Sequence, residues 1–289
     1  MNHIFHVHTW RCKHASDEVD EQYIKTALSL GANGITFTDH SPFPEDIFNN
    51  RMELSQLPEY VESLKKLRSK YKSQIAVQIG LEVEFLPSML DFYHQLKNDY
   101  DLDLLVIGQH FYEHTDGKFS FADEKEFNKL NEFSGCGTAM IQGIKTGLFS
   151  VVAHPDRIFR RCKEWTPEMT GMAENIIKTA AENKVIMECN LSSYEKYVTK
   201  TRSTYWRNEF WQLVEDFNLS SEVPVEVIYG VDAHSSEEMI SRIKYADTLQ
   251  YLSAMHNINA LRKEALSKFP DGLTLDEINA EIDAYRKGL

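Results

Sequence analysis

The stretch "IFHVHTW", Ile4 to Trp10, sets two histidines one residue apart in a β-branched, aromatic run. In a strand residues i and i+2 point the same way, so His6 and His8 would share a face with Val7 opposite. Two imidazoles converging from one backbone make a ready pair of metal ligands. Alone the pair is a weak signal, but strand-like segments further on close with the same kinds of residue. "GITFTDH" ends in Asp39 and His40, "IAVQIGLEVE" in Glu82 and Glu84, and "LDLLVIGQH" in His110. "FSVVAHPD" ends in His154 and Asp156, "VIMECN" in Glu188 and Asn190, and "VIYGVDAH" in Asp232 and His234. Of 11 histidines, six close such a segment and His14 lies in the first loop beyond one, a placement chance would not produce. His3, His94, His114 and His256 read as ordinary surface or core residues.

Neutral imidazoles with one or two carboxylates suit Zn, Fe or Mn rather than Ca or Mg. Seven histidines exceed what one tetrahedral ion takes, so two or three divalent metal ions are expected. Clustered metals lower the pKa of a water and neutralise a transferring phosphoryl group, which points to hydrolysis.

Parallel βαβ units would position this set. Short apolar runs at Ile4–Val7, Gly34–Phe37, Ile75–Gly80, Leu104–Ile107, Phe149–Ala153, Val185–Glu188 and Val225–Gly230 alternate with helical patterns. The helices are expected near Asp20–Leu30, Leu57–Tyr71, Glu124–Thr146, Pro167–Glu182 and Trp206–Phe217. "DEVDEQYIKTALSLGANG" is typical, with acids in its first turn, apolar residues at 3–4 spacing and Gly31 near its C-cap. About seven such units fit a closed α/β barrel of TIM type, whose strands bring their carboxyl ends, and the metal site, to one face. An open doubly wound sheet is the alternative; no G-x-G-x-x-G follows the first strand, so dinucleotide binding has no support. From about residue 236 the chain reads as a helical tail, with Thr274 or Asp276 as N-caps of its last helix. One domain over 1–289 is expected.

The 289 residues are 42% hydrophobic, and no apolar run approaches the roughly 18 residues of a membrane span. The first residues lack a basic stretch followed by an apolar core, so no signal peptide is expected. Cys12, Cys136, Cys162 and Cys189 form no C-x-x-C pair and read as reduced structural cysteines of a cytoplasmic protein. A net charge of −13 opposes a nucleic-acid partner, so a small phosphate ester is the expected substrate class, with no membrane partner. The oligomeric state is not legible.

"HVH", "TDH", "GLE", "GQH", "AHPD" and "VDAH", in this order from His6 to His234, resemble the PHP (polymerase and histidinol phosphatase) family of metal-dependent phosphoesterases. The resemblance implies a distorted (β/α)7 barrel. Length and the "AHPD" context look most like the monofunctional L-histidinol-phosphate phosphatases, which implies hydrolysis of histidinol phosphate in histidine biosynthesis. It also implies a trinuclear division: His6, His8, Glu82 and Asp232 on the first metal, Glu82 with His110 and His154 on the second, and His14, His40 and His234 on the third. Glu84 competes for the bridging role or gives supporting contacts, and Asp39 would orient a histidine through its ring N–H.

Asp232 or His234 would move a proton toward the leaving alkoxide. A phosphate dianion also calls for cationic side chains. "AHPDRIFRR" offers Arg157, Arg160 and Arg161, of which Arg160 is favoured. In the related phosphatases a basic residue soon follows an "E-x-N" motif; "ECNLSSYEKYVTKTRSTYW" departs in spacing, leaving Lys196, Arg202 and Arg207 open, with Arg202 favoured. Other readings are another small phosphate ester as substrate, or an amidohydrolase-type barrel. The latter commonly has a lysine where this chain has "GQH". A polymerase-associated barrel and a histidine-rich metal store fit less well.

Overall fold

Seven short, buried runs, each followed by at least one helix, pair in parallel and close on themselves. The computed structural model describes residues 2–45, 50–121, 129–200, 204–268, 272 and 274–287. Its first four strands are β1 (His3–Val7), β2 (Gly34–His40), β3 (Ala76–Val83) and β4 (Leu104–Ile107). A two-stranded antiparallel hairpin, β5 (Phe111–Glu113) and β6 (Phe119–Phe121), follows. The last three strands are β7 (Val151–Val152), β8 (Ile186–Asn190) and β9 (Val227–Ala233). The closed barrel runs β1-β2-β3-β4-β7-β8-β9, so the expected seven-stranded α/β barrel is the fold found.

The helices are α1 (Asp20–Ser29), α2 (Leu57–Tyr71), α3 (Leu90–Asp99), α4 (Lys129–Lys145), α5 (Pro167–Asn183), α6 (Leu191–Thr199), α7 (Asn208–Ser220), α8 (Ser236–Lys268) and α9 (Leu275–Lys287). Local chemistry starts and stops them. Thr166 accepts from the Met169 N–H ahead of Pro167 in the first turn of α5. Gly31, at φ +76°, takes the chain out of α1 in the left-handed region that favours glycine. The chain forms two compact units, Met1–Asp247 with the barrel, and Thr248–Leu289 with the end of α8 and α9. Among the described residues no helix is long and apolar enough to cross a membrane.

Several elements differ from expectation. α3, α6 and the β5–β6 hairpin were not anticipated. In α6 the run "LSSYEKYVT" is rich in weak helix formers, and the helix is started by the Asn190 side chain, which accepts from the Ser193 N–H. The expected helix from Glu124 is α4, and residues 122–128 lie outside the described residues. β7 shrinks to two residues, while β2, β3, β8 and β9 run past their expected ends.

Those extensions carry the functional residues on the strands themselves. Phe5, Val106, Val151 and Ala153 make an apolar cluster with Leu104, Ile186 and Ile228. Toward the carboxyl ends the interior turns polar, and two glycines make room for it. A Cβ on Gly108 would fall 1.9 Å from Glu82 Oε1, and one on Gly230 would fall 2.0 Å from Glu188 Oε1. Gly230→Ala should therefore destabilise the fold by about 1–3 kcal/mol, the usual effect of overpacking a filled interior. Urea denaturation checks this: the midpoint should fall with the slope unchanged.

Candidate metal centre

The pleat alone does not bring His6 and His8 together. The register of β1 slips against β2 between Ile4 and Val7, and against β9 between Phe5 and Val7. His6 sits at φ +71° inside that irregularity, a bulge that re-aims its side chain. His154 at φ +34° and Asp232 at φ +47° are also left-handed. Strain of this kind in non-glycine residues persists where surroundings over-determine it. For Asp232 those surroundings include Arg242, which donates to the backbone carbonyls of Val231 and Asp232.

All seven histidines named from strand ends and the first loop come together. The His6 and His8 ring centroids are 4.9 Å apart, and the His8 ring lies 4.6 Å from His40 and 4.2 Å from His234. His14 is 4.5 Å from His234, His40 is 5.3 Å from His110, and His110 is 5.0 Å from His154. Glu82 is the hub. Its Oε2 is 2.9 Å from His40 Nδ1, 3.4 Å from His6 Nε2 and 3.6 Å from His8 Nε2. Its Oε1 is 2.8 Å from His154 Nε2 and 3.8 Å from His110 Nε2. Asp232 Oδ1 stands 3.4 Å from His8 Nε2 and 3.8 Å from both His6 Nε2 and His234 Nδ1.

This donor set fits divalent cations. His6 Nε2, both ring nitrogens of His8, His40 Nδ1, His154 Nδ1 and His234 Nε2 are buried without an aligned hydrogen bond, even where Glu82 is close. Buried polar atoms normally have partners, and a metal ion is one. Ligand atoms of His6, His8 and Asp232 gather within 4.8 Å of one another, as do those of His14, His40 and His234. Two further groups, His6–Glu82–His154 and His8–His40–Glu82, share Glu82. Cys12 also falls in a group with His8 and His234. Burial pushes that thiol up to about 12, a protonated state that binds metal poorly.

Protonation follows the same logic. Burial pulls His8, His40, His110 and His234 below the ordinary imidazole value, His234 to about 4, which is the neutral form a metal needs. His6 is the exception: burial is outweighed by Glu188, Glu82 and Asp232, which raise it. Burial pushes Glu82 up, but His40, His6, His110 and His154 together bring it well below the usual carboxylate range.

A set of supporting residues was only partly legible. Glu188 accepts from His6 Nδ1 at 2.8 Å, and Asn190 donates to Glu188 Oε1 at 3.0 Å and Asp232 Oδ2 at 3.2 Å. Tyr205 OH donates to Asn190 Oδ1 at 3.0 Å and Asp232 Oδ2 at 3.3 Å. Glu84 meets His110 Nδ1 at 2.9 Å and pairs with both terminal nitrogens of Arg51. Burial pushes Glu84 up, but Arg51 and His110 bring it down to about 2. Asp39 does not orient a histidine. It follows the strand alternation away from His40 and accepts from the Thr9 N–H and hydroxyl instead. Asp156 Oδ2 accepts from the Arg207 N–H and the Trp211 indole, while its Oδ1 is buried without a hydrogen bond.

A cavity of about 420 Å3 opens on the cluster, lined by His14, His40, Glu82, His110, His154, Asp232 and His234 together with Arg157, Arg160, Lys196, Arg51, Asn50, Phe111 and Tyr205. Arg160 is thus among the residues that line the cavity beside the cluster. Arg202 lies outside the described residues. Arg207 is committed to the carbonyls of Phe159 and Cys162, so among the described residues Lys196, on α6, is the basic residue after β8 that lines the cavity. Burial lowers the Lys196 ammonium below its usual value, against the pull of Asp232.

The PHP domain model matches residues 5–192. A histidinol-phosphatase of Bacillus subtilis is 24% identical over 260 residues, covering 81% of this chain and 94% of that protein. A Deinococcus radiodurans protein named probable histidinol-phosphatase is 25% identical over 253 residues, covering 85% and 90%. A crystal structure of Lactococcus lactis histidinol phosphate phosphatase, complexed with zinc, L-histidinol and phosphate, has a TM-score of 0.69 at 18% identity, covering 87% of this chain and 93% of that one.

Glu188→Gln should weaken zinc or manganese binding about 10- to 100-fold, as expected when the partner of a ligating histidine is lost. A metal titration with the far-UV spectrum as a folding control reads this directly; unchanged affinity would remove Glu188 from the centre.

Proposed function

The chain belongs to the PHP domain family, and on that footing we propose that it is a metal-dependent phosphomonoesterase that hydrolyses L-histidinol phosphate to L-histidinol and phosphate, a step of histidine biosynthesis. The observation that carries the reading is the convergence of five imidazoles on the Glu82 carboxylate in a cavity that also holds Arg157, Arg160 and Lys196. The names of the two relatives, and the ligands of the Lactococcus lactis structure, support the substrate.

We assign three cation sites: His6, His8, Glu82 and Asp232 to the first, Glu82, His110 and His154 to the second, and His14, His40 and His234 to the third. Bound divalent ions would supply Lewis-acid stabilisation of the phosphoryl oxygens and lower the pKa of a water nucleophile. Zinc heads the candidates, with manganese and iron behind it.

The chain's own residues do the rest. Arg160 and Lys196, with Arg157 beside them, bind the phosphate through charge-assisted hydrogen bonds. Asn190 and Tyr205 hold Asp232 by its Oδ2, leaving Oδ1 toward the histidines. Asp232, as a carboxylate, accepts a proton from the attacking water and returns it to the leaving alkoxide, with His234 as its neighbour in that relay. Glu188 and Glu84 fix the rings of His6 and His110.

Phosphate release from L-histidinol phosphate is the test, beside a panel of nucleotide and sugar phosphates. Turnover should vanish after chelation and return with zinc or manganese. Preference for another ester in the panel would overturn the substrate while keeping the chemistry. Arg160→Ala should raise KM about ten- to a hundredfold, from the loss of about 1.5–3 kcal/mol of charge-assisted hydrogen bonding. An unchanged KM would take Arg160 off the phosphate.

A further inference from the structure

Arg242 lies in the first turns of α8, inside the unit Met1–Asp247, and only 4% of it is exposed. A guanidinium so buried needs partners for most of its N–H groups. Here they come from three elements. Nε donates to Glu195 Oε2 on α6 at 3.2 Å, and Nη2 meets Glu238 Oε1 on α8 at 3.0 Å. Nη1 donates to two carbonyls of β9, those of Val231 at 3.1 Å and of Asp232. Those carbonyls sit in an irregular stretch. Between the pairs Phe5–Gly230 and Val7–Ala233 the chain advances two residues on β1 but three on β9. The pairing of β9 with β8 ends at Gly230. Val231 and Asp232 therefore lie where a bulge leaves ladder groups unpaired, and Asp232 takes φ +47° there. Glu238 extends the hold, since its Oε2 accepts from the His234 N–H at 2.8 Å. On the other side, the residue after Glu195 on α6 is Lys196, which lines the cavity.

We propose that Arg242 is a positioning residue with two duties. It holds the bulge of β9 so that Asp232 meets the cations, and it holds α6 so that Lys196 meets the phosphate. The inference rests on the roles proposed above for Asp232 and Lys196. One guanidinium can serve both because its planar fork points different N–H groups at different elements. The phosphate side and the metal side of the cavity are thereby set against one fixed group. Arg242→Lys separates this role from simple charge balance. Lysine keeps a positive charge between Glu195 and Glu238, but a compact ammonium cannot copy a fork that serves two carbonyls and two carboxylates. Glu195→Gln acts on the α6 arm alone: it keeps an acceptor for Nε and removes the charge.

Two calorimetric titrations of the full chain read the two duties: zinc into metal-free protein, and inorganic phosphate into the zinc-loaded protein. Arg242→Lys should keep the wild-type far-UV spectrum and bind zinc about 10- to 100-fold more weakly, the usual effect of losing a group that orients a ligand. Glu195→Gln should bind zinc as the wild type does and phosphate about three- to tenfold more weakly, as a charge-assisted bond gives way to a neutral one. A purely structural arginine would lower the urea midpoint and leave both affinities of the folded protein where they were. Unchanged zinc affinity in Arg242→Lys overturns the hold on Asp232. Unchanged phosphate affinity in Glu195→Gln overturns the hold on Lys196. If Arg242→Lys does not fold, Glu238→Gln decides the first point at a more exposed position, with zinc weakened about threefold expected and no change overturning it. A wild type that hydrolyses no ester of the panel overturns the phosphatase reading instead, and the two titrations still decide the role of Arg242.

Discussion

Glu82 keeps its carboxylate at 1% exposure inside the barrel, and an unpaired ion in such a place costs several kcal/mol. Much of the architecture around it follows from that constraint. Five imidazoles approach its two oxygens, from β1 and the residue after it, from β2, and from the loops after β4 and β7. The rings cannot by themselves balance the charge of Glu82, Asp232 and Glu188 together, which is the electrostatic sense in which the cluster suits cations. The backbone bends to suit. His6, His154 and Asp232 adopt a conformation that side chains rarely take, and each is a proposed ligand.

Order along the chain made most of this legible. A parallel barrel sends every strand's carboxyl end to one face, so a histidine closing one strand and an acid closing another are neighbours however far apart in sequence. His40 and His110 needed only that rule, whereas His6 also needed the bulge in β1. The rule works because strand ends are marked by composition: an apolar run, then a polar residue. It gave Arg160 as well, since a residue just past a strand end lies near the same face.

Where the reading failed, a short-range geometric fact intervened. Asp39 precedes His40 in β2, and successive residues of a strand face opposite ways, so adjacency in sequence meant separation in space. The same alternation would have placed Glu188 and Asn190 on one face, but their service to His6 and Asp232 depends on a tight approach across three strands that no spacing announces. Arg51 comes from a loop rather than a strand, and a loop's path is not periodic. Lys196, one of the three basic residues the sequence left open, reaches the cavity because α6 forms against local propensity, on a cap supplied by the strand before it, and the favoured Arg202 lies outside the described residues.

Gly108 and Gly230 carry a consequence for how such chains diverge. Each is an absence of side chain on one strand shaped to a carboxylate arising from another, Glu82 in the first case and Glu188 in the second. Neither half of such a pair has a reason to stay without the other. A lineage that abandoned the acid would find a void beside the glycine that an alanine methyl fills, and a lineage that filled the glycine first would evict the acid. Acid and glycine thus constrain each other at two distant places in the sequence, and changing either alone leaves a void or a clash in this barrel.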